Sequence, residues 1–228
     1  MALLGDSLRG RRVLVTQSRA FMGPVLCEVL AEHGADVVAD ERSLADPAAA
    51  EEVVAGAGRI DVLVANLAIE APSTPAVSVA DDEWRSVFAH LVDPLPRLVR
   101  AAVPQMVERG SGKVIVMGSA SAFRGMRRAS TYSAARGAQV AYVRAAGTEL
   151  APLGVQLNLV AQNFVDNATY FPPDVQALPA FQDRLRREVP VQRLAAPRED
   201  AMLVVFLASE ECRFMVGQSI PFAGGWVT

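Results

Sequence analysis

Histidine and cysteine are almost missing from this chain: His33, His90, Cys27 and Cys212 are the whole supply in 228 residues. None of them stands at metal-ligand spacing, so neither a zinc site nor a disulfide framework has anything to build on. A Ser-His-Asp triad is poorly served for the same reason. Both histidines are expected on helix surfaces and both cysteines reduced and half-buried. An excess of one charge is lacking too. Lys and Arg number 22 against 25 acidic residues, a net charge of −3, with no basic block for a phosphate backbone to attract. Nucleic acid is therefore not an expected partner. No run approaches the roughly 18 apolar residues of a membrane span. Met1 to Arg12 lacks the charged, apolar and cleavage regions of a signal peptide, so a cytoplasmic location is expected and the sequon at Asn167 carries no weight. What is present is apolar material, 51% hydrophobic against 21% charged, enough for a packed core in one large domain spanning residues 1–228.

Short apolar runs alternate with helical stretches along the whole chain. The runs are Val13 to Thr16, Asp36 to Ala39, Val62 to Ala65, Lys113 to Met117, Gln156 to Val160 and Ser219 to Phe222. Helices are expected at Gly23 to His33, Ala48 to Ala55, Asp81 to Arg109, Tyr132 to Ala151 and Arg198 to Ser209. The pattern is that of a Rossmann-like, doubly wound parallel α/β sheet covered on both faces. Asp40 to Ile60 has room for one helix and at most a stub of strand, which marks the third strand of the usual 3-2-1-4-5-6 order as one that can be vestigial. Asn163 to Leu194 holds four of the fourteen prolines and reads as a lid or pocket loop.

Two stretches carry chemistry. A dinucleotide site needs glycines after the first strand, where the backbone must approach a pyrophosphate seated on a helix N-terminus. The stretch Thr16-Gln17-Ser18-Arg19-Ala20-Phe21-Met22-Gly23 offers one, Gly23. The alternative view of Phe21 is an ordinary buried side chain in a strand-to-helix turn. The second constellation is Ser119 at the end of a buried strand, with Tyr132 and Arg136 spaced i,i+4 at the start of a long helix and so on one face. A cation there favours the phenolate and makes Tyr132 a usable general base.

Together these residues resemble the short-chain dehydrogenase/reductase superfamily over nearly the whole chain. In that light Gln17 and Phe21 replace two glycines of Thr-Gly-x-x-x-Gly-x-Gly, and Tyr-x-x-x-Lys has become Tyr132-Ser133-Ala134-Ala135-Arg136. Leu91 stands seven residues after Trp84, at the place of a proton-relay asparagine. Asn66-Leu67-Ala68 stands where Asn-Asn-Ala-Gly would meet the adenine ribose. The ending Gly217 to Trp226 resembles the superfamily's closing segment, which implies packing across a subunit interface.

These departures resemble halohydrin dehalogenases. The resemblance implies an enzyme with no nicotinamide cofactor and no metal. In it Ser119 and Tyr132, with Arg136, bind and deprotonate the hydroxyl of a vicinal haloalcohol, whose oxygen displaces halide to close an epoxide. The halide pocket would use the vacated nicotinamide space, with Phe21 as an apolar wall and backbone donors from Gln162, Asn163, Phe164 and Val165. Small haloalcohols, epoxides, halide, azide, cyanide and nitrite are the implied ligands.

Two other readings stay open: a divergent NAD(P)-dependent oxidoreductase, and an inactive superfamily member kept as a binding subunit. Asp40, where NAD enzymes hold the ribose diol, is the main residue favouring a cofactor; a solvated loop acid is the other view of it. Apolar residues on several faces of the long helices, among them Val99, Val103, Met106, Val140, Val143 and Leu150, suggest a homotetramer built on a four-helix contact.

Overall fold

The computed structural model describes residues 5–228. Six strands form one sheet: β1 (Arg12–Val15), β2 (Asp36–Ala39), β3 (Val62–Asn66), β4 (Gly112–Ser119), β5 (Val155–Gln162) and β6 (Ser219–Phe222). Their order is β2-β1-β3-β4-β5-β6, with every neighbouring pair parallel. The central strands β3, β4 and β5 are rich in Val and Leu and buried almost throughout, as a sheet covered on both faces requires. The chain winds from β1 out to β2 and then back across to β3, so a crevice opens at the carboxyl ends of β1 and β3.

Eight α-helices are described: α1 (Gly23–Glu32), α2 (Ala49–Ala57), α3 (Asp81–Leu91), α4 (Pro94–Glu108), α5 (Ser130–Leu150), α6 (Pro173–Gln176), α7 (Pro179–Glu188) and α8 (Pro197–Ala208). Leu26, Val29 and Leu30 of α1 join Ala201, Val204 and Val205 of α8 in the core on one face of the sheet. On the other face, Val53 of α2, Leu98 of α4 and Val143 of α5 pack over Leu63, Val114 and Leu157. This is the single-domain, doubly wound α/β fold expected from the alternation.

Four expectations need correction. The stretch expected as one helix from Asp81 to Arg109 is two, because Pro94 opens α4 and lacks an N–H to continue the ladder from α3, although Asp93 before it keeps helical φ −59° and ψ −35°. The segment 163–194 is no plain loop: Pro173 and Pro179 are the first residues of α6 and α7, a position that suits proline's fixed φ and missing donor. His33 lies buried rather than on a helix surface, with Nδ1 2.8 Å from the Val29 carbonyl oxygen. The six residues named for a four-helix contact are all buried within this one chain, so they leave no surface for a partner. Between β2 and α2 no strand forms among the described residues, and β2 is the edge of the sheet. No described helix is long and apolar enough to cross a membrane.

Candidate active site

The turn after β1 crosses the crevice with an unusual backbone. Gln17 has φ 45° and Phe21 has φ 47°, both in the left-handed region. These are the two positions where the resembled turn carries glycine. A residue with Cβ pays roughly 1–2 kcal/mol for that conformation, so the surroundings must hold it. Asn66, at the end of β3, does so: its Nδ2 donates to the carbonyl oxygens of Gln17 and Ala20, each at 3.0 Å. The Gln17 side chain folds back, its Oε1 accepting from the Ala68 N–H at 2.6 Å. Gly23 is kept because a Cβ there would lie 2.4 Å from the Ser18 carbonyl oxygen. The chain therefore holds the shape of a glycine turn while two side chains fill it.

That filling does not suit a dinucleotide. Phe21 lines the crevice, its ring 5.4 Å from that of Tyr170. Leu67 is buried. Asp40, the residue that favoured a cofactor, has its carboxylate on Arg42: Oδ2 accepts from Nε at 3.0 Å and from a terminal nitrogen at 2.8 Å. The Leu91 carbonyl oxygen accepts from Gln139 Nε2 at 2.6 Å, which closes the place where a relay would begin.

Next along the sheet edge, β4 and β5 are in register at their ends, with Ser119 opposite Gln162. A Cβ on Gly118 would meet the Leu159 side chain at 2.5 Å, so glycine lets the strands bring Ser119 to this place. The Ser119 Oγ accepts from the Ser121 backbone N–H at 3.2 Å and from the Ser121 hydroxyl at 2.9 Å. With both lone pairs engaged, Ser119 keeps its own proton for a ligand oxygen.

Tyr132 sits in the first turn of α5, and the Arg136 guanidinium lies over its ring, 5.0 Å from the centroid. Arg136 is buried and donates through one terminal nitrogen to the Met117 carbonyl oxygen and to Gln139 Oε1, both at 3.0 Å. A second phenol is close by. Tyr170 donates to the Ile69 carbonyl oxygen at 3.2 Å and accepts from the Ala71 N–H at 2.9 Å. Burial, then the neighbouring Tyr132, pushes its pKa up to about 12, so it stays protonated near neutral pH.

All eight expected site residues line one cavity of about 230 Å³: Phe21, Ser119, Tyr132, Arg136, Gln162, Asn163, Phe164 and Val165. The expected backbone donors are only partly available. The Phe164 N–H donates to Asn163 Oδ1 at 2.8 Å, and the Asn163 N–H to the Phe222 carbonyl oxygen at 3.0 Å. Val165 is left with an N–H that finds no acceptor among the described residues. Gln162 Oε1 is buried without a partner. Among the described residues no three His, Cys, Asp or Glu side chains gather as a metal site.

Sequence reasoning missed four contributors. Ser121 and Gln139 sit one step behind Ser119 and Arg136. Tyr170 and Arg184 come from the segment read as a loop. Arg184 of α7 places its guanidinium 5.4 Å from the Phe164 ring centroid and lines the cavity. The missed signal is Phe181-x-x-Arg184-Leu185, a helical spacing whose two apolar members are buried.

The chain matches a family model described as enoyl-(acyl carrier protein) reductase over residues 9–227. It is 31% identical over 192 residues to a 2-dehydro-3-deoxy-L-rhamnonate dehydrogenase (NAD(+)) of Sphingomonas sp., covering 84% of this chain and 74% of that one. Among solved structures it resembles a dehalogenation enzyme, with TM-score 0.89 and 27% identity over 96% of this chain and 99% of that one. A halohydrin dehalogenase bound to ethyl (2S)-oxiran-2-ylacetate matches with TM-score 0.86 and 26% identity, over 95% and 97%. A gluconate 5-dehydrogenase from Burkholderia cenocepacia with NADP and tartrate matches at 0.88 and 26%, over 99% and 98%. The backbone is thus shared by enzymes of both chemistries. Since the family model spans nearly its full length, the chain belongs to the short-chain dehydrogenase/reductase superfamily.

Proposed function

We propose that this enzyme closes vicinal halohydrins to epoxides without a nicotinamide cofactor, and runs the reverse opening of epoxides by small anions. The observation that carries the reading is the turn at Gln17 and Phe21, filled by side chains where a pyrophosphate needs bare backbone. A hydride-free reaction still needs an alkoxide, and the parts for one remain. Ser119 donates to the substrate hydroxyl oxygen while Tyr132 takes its proton. Arg136, buried against the Tyr132 ring, supplies the fixed positive charge beside that transfer. The oxygen then attacks the neighbouring carbon, a C–O bond forms, and the C–halogen bond breaks with its electron pair on the halide. The halide leaves toward the Phe21 ring and the Val165 N–H, an apolar wall with one donor that suits a large, weakly hydrated anion. The two dehalogenating structural neighbours support this reading.

A second reading, a divergent NAD(P)-dependent oxidoreductase, draws on the curated relatives, whose names are those of dehydrogenases and reductases, and on the glycine-like path that the turn still follows. One experiment separates the two. Purified protein is mixed with a small bromohydrin and bromide release is followed with no nucleotide added. Bromide release that is unaffected by NADH or NADPH is the expected result; strict dependence on either nucleotide overturns the proposal.

A further inference from the structure

The cavity that holds Ser119 and Tyr132 has two cationic side chains on its wall, Arg136 and Arg184, and no acidic one among the described residues. The two arginines are differently placed. Arg136 is buried and engaged with Met117 and Gln139. Arg184 lies at the mouth, its side chain 43% exposed. Its one ion pair is through Nε to Glu188, at a long 3.3 Å, and Glu188 also takes Arg187 at 2.9 Å. Both terminal nitrogens of Arg184 are without a partner among the described residues.

A planar guanidinium with its outer donors open, resting on the Phe164 ring, is the geometry that grips a carboxylate through two parallel hydrogen bonds. Apolar side chains, Phe21, Ile69, Met117 and Met126 among them, share the lining with the two arginines. A ligand that satisfies all of it carries a hydroxyl at one end, a short apolar body, and an anionic group at the other. We propose that Arg184 makes this enzyme selective for substrates bearing a carboxylate, held at the lid while the hydroxyl reaches Ser119 and Tyr132. This rests on the halohydrin reading for the reacting end; the carboxylate contact itself does not depend on it.

The test uses γ-bromo-β-hydroxybutyrate and its uncharged amide as paired substrates, with bromide release as the readout, in wild type, Arg184→Gln and Arg184→Lys. Wild type should prefer the acid. Arg184→Gln should raise KM for the acid about tenfold or more with little change in kcat, and should affect the amide far less. Arg184→Lys, which keeps the charge and loses the fork, should recover part of the preference. A parallel calorimetric titration with butyrate and butyramide needs no turnover: butyrate should bind wild type and be lost in Arg184→Gln. Equal use of acid and amide by wild type, or equal losses for both in Arg184→Gln, overturns the proposal. If neither bromohydrin releases bromide, the dehalogenase reading fails while the butyrate titration still decides the role of Arg184.

Discussion

Tyr132 and Ser119 are expected to differ in how much each contributes. Tyr132→Phe removes the base and little volume, so epoxide formation should vanish while the far-ultraviolet spectrum and melting midpoint stay at wild-type values. Ser119→Ala removes one hydrogen bond to the reacting oxygen and should cost on the order of 10²-fold in kcat. Near-wild-type turnover in either variant removes that residue from the chemistry. Phe21 allows a sharper balance of magnitudes. Phe21→Gly relieves a left-handed strain of about 1–2 kcal/mol, but forfeits the burial of a half-buried ring and, beyond that, an aromatic contact with Tyr170 worth about 0.5–1.5 kcal/mol. Stability should therefore fall modestly. Halide inhibition, which should rank bromide and iodide above chloride in wild type, should weaken in the variant; unchanged inhibition would put the leaving-group site elsewhere. The pair Ser119 and Tyr132 was legible in the sequence because strand ends and i,i+4 spacing fix direction. The hydrogen bonds behind them were not, since Ser121 and Gln139 act through rotamers and partners that spacing alone does not choose.

At the scale of elements, the expected lid, residues 163–194, is the part least visible in the sequence, and it lines the cavity with Tyr170, Phe171 and Arg184. Its four prolines suggested irregular chain, yet two of them begin helices, and only the folded chain shows that Phe181 and Leu185 of α7 bury one face. The strands were legible because a sheet buried on both sides demands continuous Val, Leu and Ile, whereas the break between α3 and α4 turned on one residue, Pro94. The lid is fastened to the 69–71 segment by a single phenol, Tyr170. Tyr170→Phe deletes both of those hydrogen bonds and keeps the ring against Phe21. Backbone amides of 166–188 should then exchange faster with deuterium, by about one order of magnitude, and KM should rise more than kcat changes. Exchange identical to wild type would mean that the aromatic contacts alone hold the lid down.

For the molecule as a whole, stability should depend on pH through Asp200, in the first turns of α8. Both its carboxylate oxygens are buried with no partner among the described residues, and burial pushes its pKa up from 3.8 to about 7. Between those two values the unfolded chain has released this proton and the folded chain still holds it. Stability thus falls with rising pH across that interval, by about 1.4 kcal/mol per unit at most, and the loss is complete above the folded value. Asp200→Asn should flatten the decline, so melting midpoints of variant and wild type should diverge as pH rises; parallel curves would show the carboxyl to be solvated. The six apolar helix residues that suggested a homotetramer are covered within one chain, so that assembly now rests on the resemblance of the closing segment Gly217 to Trp226 alone; light scattering that gives an active monomer would remove it. The edge strand β2 bears on assembly in another way. With no further strand beyond it among the described residues, its outer N–H and C=O groups form an open row of the kind that recruits other chains into fibrils. Here the row is only four residues long and opens on Asp36, whose carboxylate pairs with Arg12 at 3.5 Å. An invading strand would gain few bonds and meet a charge at its first step, so the sheet can end early without becoming a seed for aggregation.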